Sequence, residues 1–335
     1  MKKIKQLLEK VYSSRLLQPF VNSLYLLSDW RLRRMGWVSN FNKAMAKPDR
    51  PLSLAVEVTN ICNADCTFCG YQYQERPKTV MPANLFKSII DEYSALGGGD
   101  LRLTPVVGDS LVDKGFVEKV RYARSKPNIE KITIVTNAIL LTREKFEALV
   151  EAGLNDFSIS ISGLDAAEYE RVYRKDQFAE IFKNLLEISG SAYFQRVKMF
   201  VSLRTDRIFP QFAKNYKELR RRGFIMQRIG LYDNWGGRIK SADLTGFMFV
   251  KPNRTRKNIP CSVLYDGPTV FAGGQMTACS CRDLNANSEL SLGRFQEVGL
   301  QAPWRDGQME KLRKQFKEGN LPGICRDCRH YRPAY

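Results

Sequence analysis

The sequence predicts an α/β protein built on six parallel strands, either closed into a partial barrel or spread as an open sheet. Two observations carry that reading. Apolar runs of strand length recur at Leu52–Val58, Asp100–Val106, Lys131–Thr136, Asp156–Ile161, Lys198–Leu203 and Gln227–Leu231. Helix-like segments lie between most of them, among them Pro82–Leu96, Gly115–Ser125, Arg143–Ala152 and Phe178–Ser189. Repeated strand–helix alternation implies parallel strands joined by helical crossovers. Function in such folds belongs at the C-terminal ends of the strands.

The flanks differ from this centre. Residues 1–50 read as a helical extension: Ile4, Leu7, Leu8, Val11, Leu16, Phe20, Val21 and Leu24 follow helical spacing among basic residues. One reading packs this helix on the main domain. The other makes residues 1–30 a peripheral membrane contact or a docking face for an anionic or lipid-linked substrate. Pro48 and Pro51 break the chain before the first strand. From about residue 241 Gly, Pro and Asn become common, helical periodicity fades and cysteines return, as in a small metal-stapled module. The expected organisation is therefore 1–50, 51–240 and 241–335.

Composition narrows the function classes. The 335 residues, 44% hydrophobic, suffice for a sizeable core and more than one folding unit. No run approaches the roughly 20 apolar residues that span a bilayer. The basic start lacks the apolar run and cleavage site of a signal peptide, so a cytoplasmic protein is expected, with membrane-peripheral contact as the variant. The chain has one histidine, His330, which leaves little room for His-based zinc sites or Ser–His catalysis. The formal charge of +18 serves solubility, or attracts an anion such as a sugar phosphate, nucleotide, nucleic acid or membrane surface.

Eight cysteines carry the sharpest signal. In a cytosolic chain of this size, clustered cysteines point to metal or redox chemistry. Cys62, Cys66 and Cys69 follow directly on the first strand, in a loop at its C-terminal end. Three thiolates can hold three irons of a cubane and leave the fourth iron open. Zinc would want a fourth protein ligand, and no further His or Cys lies nearby. Cys261, Cys279, Cys325 and Cys328 could ligate a second cluster or a zinc. Gly273–Gly274 marks a hairpin turn between Cys261 and Cys279.

The CxxxCxxC spacing, with Phe68 before its last cysteine, resembles the radical S-adenosylmethionine (SAM) superfamily. The resemblance implies a partial (β/α)6 TIM-like barrel and a [4Fe–4S] cluster on Cys62, Cys66 and Cys69. Its open iron chelates SAM, which is cleaved to a 5′-deoxyadenosyl radical that abstracts a substrate hydrogen. Gly108–Asp109 resembles the family's stretch that grips the SAM amino group, with Asp in place of the usual Glu. Thr136-Asn137-Ala138 resembles Thr-Asn-Gly, and Ser160-Ile161-Ser162-Gly163 resembles Ser-x-Asp-Gly. Arg204 ends the fifth strand, where the family often contacts the SAM carboxylate. By this resemblance Gly108, Asp109, Asn137, Ser160, Ser162, Arg204 and Phe68 are the cofactor-binding residues.

The tail from Leu292-Gly293-Arg294 through Trp304 to Cys325-Arg326-Asp327-Cys328, with Asp233–Gly237 before it, resembles a SPASM or twitch domain. That implies an auxiliary [4Fe–4S] cluster on Cys261, Cys279, Cys325 and Cys328. Cys281 is left over, as a spare thiol, an exchanged ligand, or a hydrogen-atom donor to a substrate radical. The resemblance implies a small-molecule substrate, a sugar, nucleotide sugar or aminocyclitol that is epimerised or dehydrogenated, and a reductant such as flavodoxin or ferredoxin. Peptide maturation is the alternative. A nucleic-acid-binding Fe–S or zinc protein would leave the strand-end elements unexplained.

Overall fold

The computed structural model describes residues 49–253, 257, 260–279, 283–305 and 307–332. The helical extension, its membrane-contact variant and Cys281 lie outside the described residues.

Six strands, β1 (Ser53–Val56), β2 (Gly99–Arg102), β3 (Ile129–Thr136), β4 (Asp156–Ile161), β5 (Lys198–Arg204) and β6 (Ile225–Ile229), pair in sequence order, every neighbour parallel. Helices α1 (Ala83–Ala95), α2 (Phe116–Arg124), α3 (Arg143–Glu151), the pair α4 (Ala166–Tyr173) and α5 (Phe178–Ser189), and α6 (Lys214–Arg221) make the five crossovers. This is an α/β fold of the partial (β/α)6 TIM-like kind.

The helices form where the sequence places one apolar stripe. In α1, Phe86, Ile89, Ile90 and Tyr93 recur at three- and four-residue spacing and are all buried. Thr142 caps α3, its hydroxyl accepting from the Lys145 amide at 3.3 Å. Asp165 caps α4 in the same way, through the Glu168 amide at 2.9 Å.

Several strand ends depart from the sequence pattern, those of β2 and β6 among them. β2 stops at Arg102, because the chain beyond it turns into the loop that carries Gly108 and Asp109. β6 begins at Ile225 and ends before Gly230. The expected last residue, Leu231, instead opens a two-residue strand β7 (Leu231–Tyr232), parallel to β8 (Phe249–Val250).

The C-terminal segment does not fold apart from this sheet. After α7 (Val263–Asp266), β9 (Thr269–Val270) lies parallel to β1 on the edge away from β2. A turn at Gly273–Gly274, Gly274 at φ +88°, reverses the chain into β10 (Gln275–Thr277), antiparallel to β9. β11 (Ser291–Arg294) completes the order β11-β10-β9-β1-β2-β3-β4-β5-β6. Short helices α8 (Phe295–Val298), α9 (Gln301–Arg305), α10 (Gln308–Lys317) and α11 (Gly323–Arg326) follow. Helical periodicity is therefore present here: Met309, Leu312, Arg313 and Phe316 bury one face of α10. The mixture of Lys, Arg and Glu around that stripe hides it in the sequence. Buried residues of the barrel and of this segment belong to one continuous core. Among the described residues, no helix is long and apolar enough to cross a membrane.

Candidate active site

The cysteine loop leaves β1 and is tied down on three sides. From α4, the Tyr173 and Val172 carbonyls accept from the amides of Asp65 (3.3 Å) and Thr67 (2.9 Å). From the loop after β2, the Asp109 amide donates to the Ile61 carbonyl at 2.9 Å. Gly108 stands there at φ +132°, and a Cβ on it would meet the Ile61 and Thr59 carbonyl oxygens at 3.0 and 3.1 Å. Only glycine combines that backbone with that approach. From the segment after β7, the Trp235 indole packs where a Gly70 side chain would sit, and its Nε1–H donates to the Phe68 carbonyl at 3.0 Å.

The three thiols lie close enough to influence one another. Burial raises the pKa of Cys62, Cys66 and Cys69, and neighbouring thiols add to the rise at Cys66 and Cys69. The Cys69 thiol is pushed up to about 11. Cys62 is offset in part by N–H groups aimed at its sulfur, from the Ala64 amide at 3.5 Å and the Asn137 side chain at 3.8 Å. Among the described residues, no three His, Cys, Asp or Glu side chains converge on a point that could hold a single metal ion. Three half-buried thiols whose charged forms would repel one another need a cationic centre to become thiolates. Separated sulfurs with N–H···S contacts, and no fourth ligand in the loop, fit a cubane with one open iron rather than zinc.

The strand-end residues divide into two groups. Asn137 reaches the cysteine loop directly, its amide also donating to Asn63 Oδ1 at 2.8 Å. Phe68 packs against Tyr173 and Tyr232, with ring centroids 5.7 and 5.2 Å away. Arg204 lies over the Phe68 and Tyr232 rings and donates to Ser160 Oγ at 3.4 Å. The Ser160 hydroxyl also bonds the Tyr173 phenol at 2.9 Å.

Asp109 and Ser162 belong to the second group. Asp109 is 2% exposed, and its carboxylate accepts from the Leu111 amide (3.0 Å), the Thr136 hydroxyl (2.8 Å) and the Asn137 amide (2.6 Å). Burial raises its pKa against these bonds. The carboxylate is thus spent on fixing the end of β3, and Asp109 acts here as a tie beneath the loop. Ser162 is fully buried, and its hydroxyl has no partner among the described residues.

Between Cys69 and the C-terminal tail opens a cavity of about 580 Å³. Phe68 and Cys69 form one wall, Arg204 and Arg228 line the strand ends, and Tyr232, Asp233 and Trp235 line the segment after β6. Lys251 and His330 close it. His330 also borders the small cavity into which Cys261, Cys279, Cys325 and Cys328 all project, among Leu264, Leu290, Phe316 and Tyr331. Four thiols from three separate segments therefore share one apolar space. Burial raises Cys261, and it pushes Cys325 up to about 12 with help from Cys328 and Cys261. The Lys257 ammonium donates to the Cys325 carbonyl at 3.1 Å and to the Arg326 carbonyl, which places a positive charge beside this group.

Several functional residues carried no signal in the spacing. Tyr173, Tyr232, Arg228 and Lys251 sit in ordinary-looking strings and gain their place only through the fold. Glu57 and Arg76 are a further case. Glu57 is fully buried and accepts from Arg76 (2.6 and 3.0 Å) and from the amides of Val106 and Ala272, both 3.2 Å. Arg76 stacks on Phe271 at 4.2 Å and donates to the Leu284 carbonyl at 2.9 Å. One ion pair thus joins β1, the end of the cysteine loop and the segment that follows Cys279.

A parallel (β/α)6 sheet with three thiols at its mouth defines a cluster-binding barrel protein. Residues 56–203 match the model of the Radical SAM superfamily and form a domain of that kind. The GTP 3′,8-cyclase of Chlorobaculum tepidum is 31% identical over 132 residues, which are 39% of this chain and 38% of the cyclase. That of Pasteurella multocida is 26% identical over 156 residues, 46% of this chain and 45% of the cyclase. The chain thus spans under half the length of these curated relatives. Among solved structures, BtrN in complex with AdoMet and 2-DOIA superposes with a TM-score of 0.57 at 18% identity, covering 83% of this chain and 93% of BtrN. AnSMEcpe with bound AdoMet and Cp18Cys peptide gives 0.55 at 16% identity, covering 84% and 89%. These two share the fold.

Proposed function

We propose that the protein is a radical SAM enzyme acting on a small carbohydrate-like molecule, a sugar, nucleotide sugar or aminocyclitol, which it dehydrogenates or epimerises. The observation that carries this reading is a cavity lined by Cys69 and by His330, the latter also bordering the cavity of the second cysteine group. A substrate placed there faces the SAM site on one side and the second thiol group on the other. Cys62, Cys66 and Cys69 hold the [4Fe–4S] cluster, and Cys261, Cys279, Cys325 and Cys328 hold an auxiliary one. When bound, the first cluster supplies the electron that cleaves SAM to a 5′-deoxyadenosyl radical, which takes a hydrogen atom from substrate.

The chain's own residues do the rest. Asn137 and the Ala64 amide steady the Cys62 sulfur. Arg204, held over Phe68 and Tyr232, offers its guanidinium to the SAM carboxylate, and Ser160 stands beside it. Trp235 closes the cysteine loop against water and lines the substrate chamber. Cys281, next in sequence but one to Cys279, would return a hydrogen atom if the reaction is an epimerisation.

AnSMEcpe, whose crystal contains a Cp18Cys peptide, shares the fold, and peptide modification is the second reading. The cavity's size favours a small molecule, since its volume of about 580 Å³ includes the space at the SAM-facing Phe68 and Arg204 and leaves room beside SAM for a ligand of that class only. The deciding experiment reduces anaerobically reconstituted protein with SAM and candidate deuterated substrates. About eight irons per chain, 5′-deoxyadenosine formation, and deuterium transfer from a sugar into it are expected. Transfer from a peptide instead would select the second reading. Full SAM cleavage by Cys62→Ala would remove the site assignment. Cys281→Ala that leaves an epimerised product unchanged would remove the donor role.

A further inference from the structure

The chamber between the two cysteine groups carries a charge pattern that SAM and the clusters do not account for. Three cationic side chains line it, Arg204, Arg228 and Lys251, against one carboxylate, Asp233. Among the described residues neither Arg204 nor Arg228 has a carboxylate partner: Arg204 bonds Ser160, and Arg228 bonds the Arg207 carbonyl at 3.0 Å. With Arg204 assigned to SAM, Arg228 from β6 and Lys251 from the chain after β8 are the other cations of the lining. His330 stands there too, its Nδ1 3.4 Å from the Lys251 ammonium and its Nε2 2.5 Å from an Arg332 guanidinium nitrogen. Cationic side chains that face a common cavity raise the local concentration of anions and hold them by charge-assisted hydrogen bonds.

We infer that Arg228, Lys251 and His330 form a seat for a phosphoryl group, so that the substrate is a phosphorylated small molecule. The inference rests on reading this cavity as the substrate chamber. The geometry favours phosphate over carboxylate. A carboxylate is best met by the coplanar fork of one arginine. Here the donors come from three separate segments: the end of β6, the chain after β8, and the tail two residues beyond Cys328. They comprise the Lys251 ammonium, the Arg228 guanidinium and, in the tail, the His330 ring that sits between the Lys251 and Arg332 cations, a non-coplanar set that suits a tetrahedral dianion. Tyr232 and Trp235 flank the same chamber and offer apolar faces to the remainder of the molecule. The seat would fix the phosphoryl end by the auxiliary cysteines and leave the rest of the substrate reaching toward Cys69. No bond is made or broken at this seat.

The test is calorimetric titration of anaerobically reconstituted holoenzyme with inorganic pyrophosphate at fixed ionic strength. Saturable one-to-one binding is expected. Arg228→Gln and Lys251→Met should each weaken it at least tenfold, while Lys251→Arg, which keeps the charge, should stay within about threefold. Arg121→Gln, which removes an exposed cation on α2 far from the chamber in sequence, is the control and should bind as wild type does. Absence of saturable binding by wild type would overturn the inference. So would equal affinity in Arg228→Gln and Lys251→Met at wild-type iron content, or an equal loss in Arg121→Gln. SAM cleavage by the wild-type sample is read alongside. Its failure would sink the enzymatic reading, whereas pyrophosphate indifference with SAM cleavage intact would sink only the phosphoryl seat.

Discussion

At the scale of single residues, the site is held by groups whose work is to fix backbone. Asp109 spends its carboxylate on the Leu111 and Asn137 amides and the Thr136 hydroxyl, so it aligns Asn137 with Cys62. Gly108 gives the loop its left-handed turn against the Ile61 carbonyl. Gly108→Ala should cost about 1–2 kcal/mol from the backbone conformation alone, with crowding against Ile61 added. Iron in the reconstituted protein should then fall, because the crowded carbonyl immediately precedes Cys62. An unchanged iron content and melting temperature would show the loop to be independent of this turn. Trp235 fills the space above Gly70 and binds the Phe68 carbonyl. Trp235→Ala removes a half-buried indole and its hydrogen bond, so a loss of about 2–3 kcal/mol is expected. Chemical denaturation would read it, together with faster bleaching of the cluster absorbance in air.

At the scale of elements, the junction between β1 and β9 decides how the two cysteine groups are registered. Glu57, next after β1, pairs with Arg76 and with the amides of Val106 and Ala272. Burial nevertheless raises the Glu57 carboxyl, so the arginine and the amides only partly offset the cost of removing it from water. Arg76→Met leaves that carboxylate without its cation and should destabilise the protein by about 3–5 kcal/mol. The double variant Glu57→Leu with Arg76→Met replaces both charges by apolar groups and should recover part of the loss. Urea unfolding of the two variants checks the order. A double variant less stable than Arg76→Met would mean that the amide contacts of Glu57 outweigh the charge. β6 makes the opposite case. Its end before Gly230 lets Tyr232 turn into the chamber beside Arg228, which stays in the strand.

At the scale of the whole molecule, the C-terminal segment covers the free edge of β1 and carries the second thiol group in the same act. A chain ending after Asp266 would lose β9 to β11, expose the β1 edge and strip the core of Phe316 and Trp304. Exposed edges of this kind pair with other chains. Size-exclusion chromatography should therefore show aggregates, and a monomeric truncated protein with full SAM cleavage would refute the dependence. By itself the sequence determined the alternation of β1 to β6 with their helices, the hairpin at Gly273–Gly274, and the thiol trio at the end of β1. These are local: period-two and period-3.6 apolar spacing and a loop of eight residues are visible along the chain. It determined the membership of the second thiol group only through a family likeness, and it misjudged α10, whose buried face is masked by charged neighbours. The tertiary structure decided the rest: β9 against β1, the four thiols in one cavity, Asp109 as a tie, and the cations gathered around the chamber. Those features join residues far apart in sequence, as Glu57 joins Ala272 across 215 positions. Burial and hydrogen-bond satisfaction select such partners only once the sheet has closed, and no local spacing records them.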